Sequence, residues 1–167
     1  MTGTLIFTHI PKTAGTSLKK SAIFPNVDRS DIYWVLGIRQ LIQDRPHGRK
    51  IVLGHFPYGA HRLLGRGPFR YLTVLRDPVD RAVSFYNYVL LCEQGNPGHP
   101  GDYAWHPALP DAKRYPIDEF YQLEAYRNVQ TKYTAGYAWE RPRNALPEWA
   151  RRAVMPERTL LHRAQHN

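Results

Sequence analysis

Residues 4–18, TLIFTHIPKTAGTSL, place a short apolar run, a Pro-Lys-Thr-Ala-Gly-Thr-Ser turn and the start of a helix in immediate succession. A strand that hands a small-residue loop to a helix N-terminus aims backbone N–H groups and the positive helix end at an anion. This order restricts the chain to an α/β layout with the loop at a strand's carboxyl end. Lys12 adds a mobile point charge with three donors, and Thr13, Thr16 and Ser17 add hydroxyls. A Walker A loop closes with glycine, lysine and serine or threonine in a row. Here Lys12 comes first and the small residues follow, so ATP or GTP is not the expected ligand.

The remaining pattern supports one α/β domain over residues 1–167, with a central, mostly parallel sheet and flanking helices. Thr4–His9 reads as a buried strand, Lys50–His55 (KIVLGH) as another and Arg70–Leu75 (RYLTVL) as a third. The helix after the loop starts near Gly15 and ends before Pro25. Asp31–Gly37 is an expected short strand, and Ile38–Asp44 a short helix stopped by Arg45-Pro46. Asp77 is placed as an N-cap with Pro78 at the first helical position and Asp80 in the first turn, opening a helix to about Leu91. Val79, Val83, Tyr86 and Leu90 form its expected core stripe, with Arg81, Ser84 and Tyr88 on another side. Residues 94–111 are rich in Gly and Pro and read as a long loop of the lid or acceptor-binding kind. Ile117–Tyr126 and Pro147–Val154 are further expected helices.

A hydrophobic share of 43% with four Trp and eleven Tyr excludes a disordered chain. Lys and Arg number 23 against 14 Asp and Glu, a formal net charge of +9, which favours anionic partners without naming one. Six Arg against two Glu in residues 141–167 supply part of it and read as a solvated basic tail, with an acceptor or nucleic-acid contact as the alternative. No nucleic-acid-binding motif accompanies the charge, so nucleic acid is not an expected partner. The lone cysteine, Cys92, excludes an intramolecular disulfide and a cysteine zinc site, and no metal-ligand spacing stands out among the histidines. No charged n-region with an apolar core opens the chain and no 18-residue apolar run occurs, so the expectation is a soluble, cytoplasmic protein.

The stretch His9-Ile10-Pro11-Lys12-Thr13-Ala14-Gly15-Thr16-Ser17-Leu18 resembles the 5′-phosphosulfate loop of sulfotransferases that use 3′-phosphoadenosine 5′-phosphosulfate (PAPS). It is most similar to the carbohydrate group that includes the heparan sulfate and chondroitin 2-O-sulfotransferases. Leu75-Arg76-Asp77-Pro78-Val79-Asp80-Arg81 through Ser84 resembles that family's 3′-phosphate segment, and weaker similarity runs to about residue 136. The resemblance implies a P-loop nucleotide-hydrolase-like fold, PAPS as donor without a metal, and a carbohydrate or other hydroxyl acceptor. It implies that Pro11, Lys12, Thr13, Ala14, Gly15, Thr16 and Ser17 hold the 5′-phosphate, with Lys12 stabilising the leaving group, and that Arg76 and Ser84 bind the 3′-phosphate.

An acceptor hydroxyl needs a proton acceptor, and histidine titrates in the useful range. The resemblance implies a catalytic-base role for a histidine in this region. His55, in LGHFPYG at the end of the second clear strand, is the better match, with His61 a second candidate and His9 a structural neighbour of the loop. Arg127-Asn128-Val129-Gln130-Thr131-Lys132 resembles an Asn-x-Gln-Thr-Arg segment, Lys132 replacing the arginine and losing its bidentate fork. Gln130 and Lys132 are therefore candidate donor- or acceptor-site residues. Residues 155–167 (MPERTLLHRAQHN) do not follow the family into its next strand and adenosine-covering loop, so the chain reads as shortened at its C-terminus. An anion-binding module without catalysis is the first alternative. A kinase-like phosphotransferase is the second, and it would want a strand-end carboxylate that none of the three clear strands has.

Overall fold

The computed structural model describes residues 3–35, 37–92 and 106–136. They fall into two compact units, one within Met1–Leu75 and Val129–Asn167, the other within Arg76–Asn128. The first unit is built on a four-stranded, all-parallel sheet of β1 (Thr4–Thr8), β2 (Ile32–Val35), β3 (Ile51–Gly54) and β4 (Phe69–Thr73), in the order β2-β3-β1-β4. Buried on both faces, β1 and β3 are apolar without alternation, as parallel strands must be. The predicted strands are all present; β1, β2 and β3 are trimmed by one to three residues, and β4 starts one residue earlier and ends two earlier than predicted.

The chain leaves β1 outward for β2, then returns inward to β3 and passes β1 to reach β4. That reversal, with right-handed crossovers, puts the first connection on one face of the sheet and the later ones on the other. The first connection holds α1 (Gly15–Leu18), which runs on as a π-helical turn over Lys19–Ile23. Leu18, Ile23 and Phe24 pack with Phe7, Ile51, Leu53, Leu5 and Leu72. On the opposite face, Ile38 and Leu41 of α2 (Ile38–Asp44) and Ala60 and Leu63 of the 3-10 turn Ala60–Leu63 pack with Ile6, Val35 and Val52. The predicted helix 38–44 has the observed bounds, and Arg45 closes it in the left-handed region at φ 40° before Pro46. A further helix, α6 (Val129–Ala135), joins this unit, where the Tyr58 N–H donates to the Tyr133 carbonyl at 2.8 Å.

The second unit is helical: α3 (Pro78–Cys92), α4 (Leu109–Arg114) and α5 (Ile117–Phe120). Asp77 caps α3 as predicted, its Oδ1 accepting from the N–H groups of Val79 (2.9 Å) and Asp80 (3.0 Å). Of the core stripe expected of α3, Tyr86 and Leu90 pack against the core and the two valines do not. Arg81, Phe85, Val89 and Cys92 are buried, whereas Val79 is 70% exposed and Val83 42%. The reason is aromatic bulk: Phe85 packs among Leu109, Ala112, Phe120 and Tyr126. Burying that ring gains more than burying two valines. Arg81 joins the buried side because its guanidinium lies over the Phe85 ring, 4.9 Å from the centroid.

The helix predicted to Tyr126 ends at Phe120. Phe120 and Tyr126 stack at 4.1 Å with planes 6° apart. Six residues along a straight helix are separated by about 9 Å of rise, so this stack requires the chain to coil back. α4 begins inside the span read as loop. Residues 94–105 of that loop and the helix predicted at Pro147–Val154 lie outside the described residues.

Candidate functional site

Register and alternation place the histidines. Leu5 and Phe7 of β1 stand beside Ile51 and Leu53 of β3, on the face that packs under α1. One step further along the same parity come His9 and His55, and the His9 N–H continues the ladder to the Gly54 carbonyl at 2.9 Å. The two imidazoles therefore stack at the carboxyl ends of neighbouring strands, 4.6 Å between centroids and 26° apart. Phe7 continues the column behind His9 at 5.8 Å.

His55 Nδ1 lies 2.7 Å from the His9 carbonyl oxygen. A carbonyl can only accept, so Nδ1 carries the proton and Nε2 holds a lone pair. Burial lowers the His55 pKa, Lys19 lowers it further, and the bond to the His9 carbonyl acts in the opposite sense. His9 is almost fully buried. That burial, with His55 and Lys19 beside it, holds its pKa down to about 3. Both rings are neutral at pH 7, and His55 is only partly buried.

The loop between β1 and α1 is held by its own backbone. Lys12 and Ala14 adopt left-handed conformations, φ 69° and 64°, on either side of Thr13. The Thr13 hydroxyl donates inward to the Ile10 carbonyl at 2.9 Å and the side chain is buried. Its hydroxyl proton is thus committed to the loop, and its backbone N–H is what remains for an anion. Thr16 is half-buried, and Ala14 and Ser17 are exposed. Gly15 is indispensable: a Cβ there would lie 2.1 Å from His9 Cδ2 and 2.5 Å from Nε2. The His9 ring occupies the space a side chain would take.

Lys19 is a residue the sequence reading passed over. Gly15, Lys19 and Ile23 are the buried members of the helical segment, spaced four apart. This stripe turns an ammonium toward the sheet, where Lys19 Nζ sits 4.7 Å over the Trp34 ring and its charge acts on both histidines. The i, i+4 spacing from Gly15 was the signal available.

His61 is differently placed. The Tyr71 hydroxyl accepts from the N–H groups of Gly59 (3.2 Å) and His61 (3.0 Å), so its own proton goes to His61 Nδ1 at 2.9 Å. Burial pushes the Tyr71 pKa up to about 12 and the His61 pKa down. His61 is tied into the Tyr58, Phe69 and Tyr71 cluster.

Arg76 and Ser84 belong to the second unit. Arg76 is exposed, with its guanidinium 3.9 Å from Asp80 Oδ2, and Ser84 is half-buried one helical turn beyond Asp80. Gln130 and Lys132 both lie in α6, two residues apart, and so point away from one another. Among the described residues, no helix is long and apolar enough to cross a membrane. No family model, curated protein or solved structure matches the chain.

Proposed function

We propose that this chain is a sulfotransferase that moves a sulfuryl group from PAPS to a hydroxyl, with a carbohydrate as the acceptor class and a P-loop-like layout as its frame. The observation that carries the reading is the contiguity of cradle and base. Gly15 of the loop receives the His9 ring, and that ring stacks on a His55 whose Nε2 is free of its proton. Two further features support it. The alternation in the sign of φ through Lys12, Thr13 and Ala14 is a backbone signature of anion-binding concavities. The loop also follows β1, the strand flanked by β3 and β4, where the direction of winding changes and open α/β sheets bind ligands.

In this mechanism the acceptor oxygen attacks sulfur in line with the departing phosphate oxygen. The new O–S bond forms as the bond from sulfur to the phosphate oxygen breaks, and His55 Nε2 takes the acceptor's proton. Lys12 meets the charge that grows on the leaving phosphate, and backbone N–H groups of the Pro11–Ser17 loop hold the 5′-phosphate. Arg76 and Ser84 are the residues assigned to the 3′-phosphate.

Calorimetric titration of the folded chain with 3′-phosphoadenosine 5′-phosphate tests the reading, and absence of binding removes it. Lys12→Ala is expected to abolish transfer, by about 10²-fold or more in kcat. Arg76→Ala is expected chiefly to weaken nucleotide binding. The reverse pattern overturns the assignment of roles.

A further inference from the structure

We infer that His9 is the positioning residue for His55 and not a second base: its main chain sets the tautomer of His55, and its ring sets the plane in which His55 Nε2 is presented. The inference rests on the proposed role of His55 as proton acceptor. Three features of the molecule carry it.

The first is the hydrogen bond from His55 Nδ1 to the His9 carbonyl at 2.7 Å, which leaves Nε2 as the only ring nitrogen able to take a proton. Every residue has a carbonyl, so the side chain at position 9 matters through what holds that carbonyl on target. The second feature supplies this: the ring is clamped on three sides, by Phe7 at 5.8 Å, by His55 at 4.6 Å and by the bare Cα of Gly15. A strand end is normally free to twist, and a ring wedged into a glycine notch of the following helix removes that freedom. The third is accessibility. His9 is 7% exposed and its Nε2 faces Gly15, so no acceptor reaches it, whereas His55 is the less buried residue of the two.

The same ring joins the anion loop to the base. Gly15 is the first residue of α1, so a shift of the loop is transmitted through His9 to His55 by direct contact. Lys19 is the charged group facing the pair from the helical side.

Two-bond 1H–15N spectra of the imidazoles in the full chain test the inference without reference to any substrate. The wild-type protein is expected to show His55 as a single Nδ1–H tautomer, neutral at pH 7. His9→Ala is expected to give mixed His55 tautomers and a titration midpoint moved upward, and His9→Phe, which keeps a ring in the notch, to restore the wild-type pattern. In transfer assays His9→Ala should lower kcat by about 10²-fold and move the acid limb of the pH profile upward, with His9→Phe recovering most of both.

An Nε2–H tautomer in the wild-type protein overturns the inference, as does a His9→Ala protein whose His55 signals are unchanged. Should His9→Ala not fold, the comparison of His9→Phe with wild type decides, since a changed tautomer there assigns the effect to the His9 nitrogens and against the clamp. If the spectra behave as expected and no form transfers sulfate, the positioning stands and the role of His55 as base falls.

Discussion

His55 Nδ1 donates to the carbonyl of His9 across the β1–β3 ladder at 2.7 Å while their rings stack at 4.6 Å. A hydrogen bond and a ring contact between the same two residues fix both the protonation pattern and the orientation of an imidazole. Replacing His55 therefore removes a prepared proton acceptor together with one wall of the His9 clamp. His55→Gln is expected to lower kcat by about 10²-fold to 10⁴-fold with the affinity for 3′-phosphoadenosine 5′-phosphate close to wild type. Steady-state kinetics with parallel calorimetry make the check, and a loss confined to nucleotide affinity would move His55 from the base to the donor site.

The pair also makes stability depend on pH. Both histidines titrate lower in the folded chain than in the unfolded one, where the ordinary value is 6.5, and His9 falls to about 3. Their contribution is complete above pH 6.5 and is lost as pH falls, because the unfolded chain takes up protons that the folded chain refuses. Between pH 6.5 and about 3 the expected slope is about 1.4 kcal/mol per pH unit for His9. Urea unfolding at stepped pH reads it directly, and His9→Phe should flatten the curve; an unchanged slope in that variant would assign the acid sensitivity elsewhere.

Ala14 carries a left-handed backbone at φ 64°, where a Cβ costs roughly 1 kcal/mol and glycine costs nothing. Ala14→Gly is thus expected to raise stability by up to about 1 kcal/mol, less the extra freedom glycine has in the unfolded chain. A destabilised variant in denaturant titration would show that the methyl group makes contacts outweighing the strain.

Gly54 ends β3 against its neighbours. A Cβ there would lie 2.2 Å from the Val35 carbonyl oxygen and 2.9 Å from Phe56 Cε1, and neither the paired strand nor a fully buried ring gives way easily. Gly54→Ala is expected to cost about 3 kcal/mol and to disturb His55, its chain neighbour. The unfolding midpoint and the His55 imidazole signals should move together; a normal midpoint would mean that β2 can retreat from β3 at no cost.

Local signals were legible where a single residue type has a single physical meaning. Asp77 followed by Pro78 marked the start of α3, Arg45-Pro46 the end of α2, and the unbroken apolar runs the two inner strands. Misreadings came where a residue's partner is distant in sequence. The helix over 117–126 breaks because Tyr126 returns to stack on Phe120, and the buried stripe of α3 is chosen by the aromatic rings it meets. Periodicity ranks the faces of a helix, but it does not know which face finds a partner.

The sequence by itself determined the strand–loop–helix order around Lys12, the four strands, the starts of α2 and α3, and the choice of His55 as a candidate base, because those depend on neighbours along the chain. Only the tertiary structure decided that His9 belongs with His55, that Gly15 is the notch for its ring, that Lys19 is turned inward, and that His61 is committed to Tyr71. Each of those relations was set by strand register or by the packing of a helix on a sheet. Register is a property of two segments brought side by side; here it turns positions 9 and 55, distant in sequence, into one stacked pair.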